Sequence, residues 1–174
     1  MKSRRIKIVS LTVLACFTLV ACSSGSTATL KLDKVVMFNI PQTTILSGGW
    51  STAERGGTWS DGKVATLSLS VDKAASKGVT LALSSFAFLA KGHESVQVDV
   101  LANTEKIATE NYTKLGNSTV RNLVIPSQAF VSQPGHLQLT FMIKSPVSPK
   151  TLGLSTDARQ LGIALVSIKL IKVN

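Results

Sequence analysis

The sequence predicts an all-β protein, built as an antiparallel β-sandwich of jelly-roll type. Apolar and polar residues alternate with a period of two in roughly seven to nine segments. Gly, Asn, Ser and Pro cluster between these segments, as expected for turns. No stretch of about a dozen residues carries apolar side chains at the i, i+3, i+4, i+7 spacing of an amphipathic helix. These three observations favour strands throughout.

The clearest predicted strand is residues 137–143, where alternate residues are apolar. In chain order, the predicted strands are residues 30–38, 64–71, 79–88, 96–101, a segment around 123–125, 137–143 and 161–173. Only residues 72–77 and 126–130 suggest a helical turn. In the last strand the apolar positions change phase between Leu165 and Val166, which predicts a β-bulge there.

The first 22 residues have the pattern of an export signal. Basic residues at positions 2, 4, 5 and 7 precede an apolar run, residues 8–20, which is shorter than the about 20 residues of a membrane-spanning helix. The segment Leu19-Val20-Ala21-Cys22 then resembles a bacterial lipobox. This resemblance implies cleavage before Cys22, a diacylglycerol on its thiol and acylation of the new amino group.

The lipobox resemblance sets the expected organisation of the chain. Residues 1–21 are predicted to be a lipoprotein signal peptide, 22–29 the lipidated cysteine and a flexible tether, and 30–174 a single β-sandwich domain. Ser23 follows the cysteine, and by resemblance to enterobacterial lipoproteins this favours the outer membrane. The expected location is therefore the inner leaflet of the outer membrane, with the domain facing the periplasm.

Composition excludes several classes of protein. Hydrophobic residues make up 44% and charged residues 16%, which excludes a disordered chain. Removing four basic residues with the signal from the total of 19 leaves 15 against 9 acids, a net charge of +6. These charges are scattered, so no nucleic-acid partner is expected; they suit anionic lipid, phosphate or acidic glycan, or simply solubility. Cys16 leaves with the signal, so neither a disulfide nor thiol catalysis is expected.

Two segments, residues 48–62 and 145–163, are unusually rich in Trp, Gly, Pro and charged residues. Together they resemble a β-sandwich domain found at the C-terminus of periplasmic-glucan phosphoglycerol transferases and on some polysaccharide-assembly glycosyltransferases. The first segment fits the pattern G-W-S-x-x-E-x-x-G-x-W-S-x-G. The second fits P-x-S-P-x-x-L-G-x-S-x-D-x-R-x-L-G. The resemblance spans about residues 48–172, and the catalytic transferase domain of the larger relatives is absent from this sequence.

The resemblance and the paired tryptophans predict a glycan-binding surface. Trp50, Glu54, Trp59 and Arg159 are its expected contacts, with Asp157 orienting Arg159. An indole face matches the C–H face of a sugar, but either tryptophan could instead fill the core. Asp157 and Arg159 could equally form a bidentate ion pair that ties the last hairpin to the tryptophan loop.

No catalytic constellation is evident. His93 and His136 each follow a glycine at a predicted strand start, away from any nucleophile-elbow sequence. Glu54, Asp61 and Asp157 could supply a glycosidase pair, and Asp61 could bind calcium, but no repeated Asp spacing supports a calcium loop. The expectation is a non-enzymatic lipoprotein without cofactor or metal that binds a glycan or assists polysaccharide assembly. An accessory protein binding another envelope protein is the alternative, and a glycan hydrolase a further one.

Overall fold

The computed structural model describes residues 29–72 and 74–172. The predicted signal peptide, the lipidated Cys22 and the tether up to residue 28 lie outside these ranges. Within them, no helix is long and apolar enough to cross a bilayer. Lipidation and the predicted domain bounds therefore stay predictions.

The described residues form twelve strands and two short 3₁₀ turns. The strands are, in chain order, β1 (Thr29–Leu30), β2 (Val35–Met37), β3 (Leu46–Gly48), β4 (Trp50–Glu54), β5 (Gly57–Asp61), β6 (Val64–Val71), β7 (Val79–Ala87), β8 (Ser95–Ala102), β9 (Glu105–Thr113), β10 (Val120–Ile125), β11 (His136–Ile143) and β12 (Leu161–Lys172). The turns are Ala75–Lys77 and Ser127–Phe130, at the two places where the sequence suggests them.

The strands form two six-stranded sheets. Sheet A has the order β1-β6-β11-β8-β9, with β3 also paired to β6. Sheet B has the order β10-β7-β12-β5-β4, with β2 also paired to β12. Every pairing is antiparallel except the two-residue pairing of β1 with β6. The predicted all-β sandwich is confirmed.

The core lies between the sheets and follows the predicted alternation. In β6, β7 and β11 alternate residues are buried, because successive side chains of a strand point to opposite faces. Members of this core include Leu67, Leu69, Leu81, Leu83, Leu137, Leu139, Phe141, Ile168 and Leu170. The described domain is thus held together by one continuous apolar layer.

The predicted bulge in the last strand is present. Leu165 pairs with Ser85 and Ser167 with Ser84, so Val166 has no partner in β7. On its other side β12 changes neighbours at this bulge, from β5 to β2. The single strand predicted for residues 30–38 is wrong. The chain leaves sheet A after β1, turns at Asp33 with φ 60°, and enters sheet B as β2.

Candidate functional site

An aromatic row crosses the outer face of sheet B. Trp59 of β5 and Phe86 of β7 flank Ala164 of β12, with which both are in register. Their rings meet edge to face at a centroid distance of 5.1 Å, and Phe88 extends the group with a centroid 6.4 Å from Trp59. Ala164 is 0% exposed although it faces outward from the sandwich, because the larger rings on both sides cover it.

The orientation of Trp59 is set by its two neighbours in β5, which point inward. The buried Thr58 hydroxyl donates to the Phe38 carbonyl at 2.6 Å, and the buried Ser60 hydroxyl accepts the Ile163 amide at 3.0 Å. Strand alternation therefore points Trp59 outward. Its indole N–H donates to no atom of the described residues, whereas buried indole N–H groups usually have a partner.

Gly57 allows β5 to approach β12 closely. Its φ is +135°, and a Cβ at this position would lie 2.5 Å from the Leu165 carbonyl oxygen. A side chain there would force the two strands apart. Gly57, the second glycine of the first sequence motif, is therefore needed to bring Trp59 over Ala164.

An ion network lies beside the aromatic row. The Arg159 guanidinium donates to both carboxylate oxygens of Asp157, at 3.1 Å from Nε and 2.7 Å from Nη2, and to Glu54 at 2.6 Å from Nη1. Glu54 is paired with Gly57, two residues before Trp59, so Glu54 and Trp59 share the outer face. Arg159, Glu54 and Asp157 side chains remain 31%, 42% and 27% exposed. Solvent therefore reaches all three groups.

The same network orders the loop that precedes β12. The Asp157 carboxylate accepts a hydrogen bond from the Arg159 backbone amide. The backbone carbonyl of Asp157 accepts one from the Lys150 amide at 2.8 Å. Hydrogen bonds from Arg159 hold the pKa of Asp157 below its usual range, and the two carboxylates raise the pKa of Arg159. Asp157 and Arg159 are therefore charged at neutral pH. The bidentate pair considered from the sequence is present, and Arg159 links the loop to the tryptophan hairpin through Glu54.

Trp50 lies on the opposite face of sheet B from Trp59. It is paired with the inward-facing Ser60, and its indole N–H donates to the Thr66 carbonyl of sheet A at 2.8 Å. Its ring packs edge to face on Phe141, with centroids 5.8 Å apart. Trp50 therefore bridges the two sheets as a partly buried core residue. Its outer edge also lines an open cleft of about 340 Å³ with Pro41, Leu46 and Thr52.

The structure thus brings four of the five predicted contacts together and separates the fifth. Glu54, Trp59, Asp157 and Arg159 form one surface, whereas Trp50 belongs to the core and the other cleft. Ligand contact by these residues stays a prediction. Sequence reasoning missed Phe86 and Phe88 as surface residues by treating them as part of the apolar run of the predicted strand 79–88. Both occupy even-numbered positions, whereas the buried Leu81 and Leu83 occupy odd-numbered ones, and this difference in alternation was the available signal.

The two histidines have different surroundings. His136 Nε2 lies 3.0 Å from the Ser68 hydroxyl and Nδ1 lies 3.0 Å from Gln133 Oε1. This serine–histidine–glutamine chain, which the sequence did not predict, lies on the outer face of sheet A and does not line the cleft beside Trp50. His93 packs near Phe88, its buried Nε2 lacks a hydrogen-bond partner among the described residues, and burial lowers its pKa.

No group of three or more His, Cys, Asp or Glu side chains converges on a metal-sized site within residues 29–72 and 74–172. Asp61, the candidate calcium ligand, accepts the Gln160 amide at 2.8 Å. That hydrogen bond gives Asp61 a role in fixing the loop before β12.

Fold and site together define a β-sandwich module with a solvent-accessible aromatic surface on one sheet. The chain belongs to the family described as "Domain of unknown function (DUF7024)", which matches residues 33–172. No curated protein sequence matches it.

Several solved structures have a similar fold at low sequence identity. The insecticidal delta-endotoxin Cry8Ea1 of Bacillus thuringiensis is 13% identical, with a TM-score of 0.52 over 84% of this chain and 26% of that one. The 4-O-methyl-α-glucuronidase BtGH115A, specific for decorated arabinogalactans, is 15% identical, with a TM-score of 0.50 over 85% of this chain and 18% of that one. A carbohydrate-binding module, CBM36, in complex with calcium and xylotriose is 12% identical, with a TM-score of 0.43 over 79% and 98%. At these identities the similarity concerns the fold.

Proposed function

We propose that this chain is a lipid-anchored envelope protein whose β-sandwich binds a glycan at the outer face of sheet B. The observation that carries the proposal is the aromatic row, in which Trp59 stands on the surface against Phe86. Its indole N–H is free of described protein acceptors. A rigid aromatic ring with an available donor suits a sugar, which offers C–H faces for packing and hydroxyl groups for hydrogen bonding.

The ion network supplies the polar part of the proposed site. Glu54 and Asp157 can accept hydrogen bonds from hydroxyl groups, and Arg159 holds both carboxylates in place. Two carboxylates around one guanidinium carry a net charge of about −1. This charge disfavours a carboxylated or phosphorylated sugar at this point, so a neutral, hydroxyl-rich glycan is the proposed ligand class.

The proposed anchor is Cys22, lipidated after removal of residues 1–21, and the proposed location is the periplasmic side of the outer membrane. The lipobox resemblance supports both. We propose no catalytic role, and the resemblance to domains of polysaccharide-assembly enzymes supports assistance to glycan assembly. A Cys22→Ala variant is expected to remain an unprocessed precursor in cells. Normal maturation of this variant on an immunoblot would contradict lipidation.

Glycan binding is tested with residues 23–174 on an array of bacterial envelope glycans. Every described strand lies in this range, so it contains the whole sandwich. Wild type is compared with Trp59→Ala and with Trp59→Phe, which keeps a ring at the site, and circular dichroism verifies folding. Saturable binding by wild type, lost in Trp59→Ala and weakened less in Trp59→Phe, is expected. Undiminished binding by folded Trp59→Ala would contradict the proposed site.

A protein partner is the second candidate, and β10 favours it. Among the described strands, β10 lies at the end of sheet B and pairs with β7 alone, and its Val120 and Val124 are 59% and 61% exposed. An end strand with apolar side chains can accept a strand from a partner. Crosslinking in intact cells distinguishes the two functions, because a protein complex through β10 would survive an excess of soluble glycan.

A further inference from the structure

Four lysines lie at one end of the sandwich, which we call the anchor end because the chain enters the described fold there. Leu30 pairs with Val71 at the end of β6, so Lys31 leaves β1 at this end. The Asp33 amide donates to the Leu170 carbonyl, which places Lys34 beside the end of β12. Lys172 is paired with Val79, and Lys77 precedes Val79 by two residues. Lys31, Lys34, Lys77 and Lys172 are all exposed.

Positive charge exceeds negative charge around these lysines. Within the described part of the chain, none of the four has an ion-pair partner. Of the neighbouring acids, Asp33 pairs with Lys169 at 3.2 Å and Asp72 accepts the Ala75 amide at 2.9 Å. Counted with Lys169, these five lysines and two carboxylates sum to a net charge of about +3, so the anchor end is positively charged.

The covalent distance between Cys22 and the anchor end is short. Seven peptide units join Cys22 to Thr29, at most about 24 Å of extended chain. β12 has 12 residues and is roughly 40 Å long. The tether is therefore shorter than β12, which favours orientations that keep the anchor end, where Thr29 pairs with Ser70, near the bilayer.

We propose that the anchor end docks on anionic lipid headgroups. Lys31, Lys34, Lys77 and Lys172 would contact the phosphates of the leaflet that holds Cys22, and the domain would stand upright on the membrane. Trp59 lies opposite Ala164, eight residues before Lys172, so its surface would lie on the side of the upright domain, roughly 26 Å from the anchor end along β12. The orientation rests on the proposed anchoring at Cys22; it does not require glycan binding.

The test uses residues 22–174, in which Cys22 is the one cysteine. Its thiol is coupled to a maleimide headgroup lipid in phosphatidylcholine vesicles, with or without phosphatidylglycerol. Lysine acetylation by N-hydroxysuccinimidyl acetate is then followed by mass spectrometry. The internal controls are Lys63, Lys91, Lys114 and Lys150, which are exposed, lack described ion-pair partners and lie in turns at the opposite end.

On phosphatidylglycerol vesicles, the four anchor-end lysines should react about five-fold more slowly than on phosphatidylcholine alone, as the attraction of a lysine to an anionic surface implies. The opposite-end lysines should react equally on both. In Lys31→Gln/Lys34→Gln, Lys77 and Lys172 should lose this protection. In the matched Lys91→Gln/Lys114→Gln variant they should retain it.

The docking proposal would be overturned if the acetylation rates of the anchor-end lysines did not differ between the two kinds of vesicle. Slower acetylation of the opposite-end lysines on phosphatidylglycerol, or protection of the anchor end on phosphatidylcholine alone, would also overturn it. Because the maleimide supplies the attachment, these results do not depend on natural lipidation. Failure of the glycan array or normal processing of Cys22→Ala would count against the proposed function alone.

Discussion

The two tryptophans offer the sharpest test of the structure, because the sequence cannot say which of them fills the core. Trp50→Ala removes an indole that packs on Phe141 and hydrogen-bonds across the sandwich to Thr66. Truncation of a buried tryptophan costs about 3–5 kcal/mol, and partial exposure of Trp50 places its cost near the lower limit. For a chain of this size, a loss of about 3 kcal/mol lowers Tm by about 6–12 °C.

Trp59→Ala removes a half-buried ring from the outer face. The lost pairing with Phe86 and the lost partial burial together cost about 1–2 kcal/mol, which lowers Tm by about 2–8 °C. Urea and thermal unfolding of both variants, followed by far-ultraviolet circular dichroism, measure the difference. Equal destabilisation by the two substitutions, or a larger loss for Trp59→Ala, would refute the assignment of Trp50 to the core and Trp59 to the surface.

Three further predictions follow from contacts away from the tryptophans. Thr58→Val should lower the free energy of unfolding by about 1–2 kcal/mol in urea titration, because the buried Phe38 carbonyl loses its donor. Gly57→Ala should abolish soluble expression or lower Tm far more than Gly92→Ala. Both glycines have a positive φ, but a Cβ at Gly57 would lie 2.5 Å from the Leu165 carbonyl oxygen, whereas a Cβ at Gly92 would have no atom within 4 Å. Hydrogen bonds from Lys106, Lys144 and Thr109 hold the pKa of Asp99 well below its usual 3.8, so its stabilising effect is present above the unfolded-state pKa and is lost as pH falls below it. Between about pH 5 and about pH 3, urea midpoints should therefore fall more for wild type than for Asp99→Asn.

Strands buried on one face were predictable from the sequence, because burial imposes a period of two on their residues. β6 and β11 have the predicted bounds to within a residue, and the bulge in β12 follows from the phase change at Val166. The edge strand β9 was not predicted. Only Tyr112 of this strand is buried, and its Glu110 faces Arg121 at 3.0 Å while the Tyr112 hydroxyl meets Ser85 at 2.7 Å, so the strand lacks the apolar alternation that predicts a core strand.

The candidate site was only partly predictable for a related reason. Asp157 and Arg159 are two residues apart, so their pairing could be foreseen from the sequence. The contact with Glu54 joins positions 105 residues apart and depends on how β4 lies beside β5 and β12. Likewise, the face of sheet B on which each tryptophan side chain lies depends on the register of β5, and the glycine-rich hairpin sequence does not specify that register.

The short pairings of β1 and β2 determine how the domain responds to mechanical force. A pull applied from the Cys22 side reaches first the two-residue pairing of β1 with β6, and then the three-residue pairing of β2 with β12. Most of β12 remains paired with β7 throughout, over nine registered positions. Peeling residues 29–37 would therefore lengthen the tether by about 30 Å while the rest of the sandwich stays paired. Residues 29–37 would therefore extend under a force at which the remaining strands stay paired.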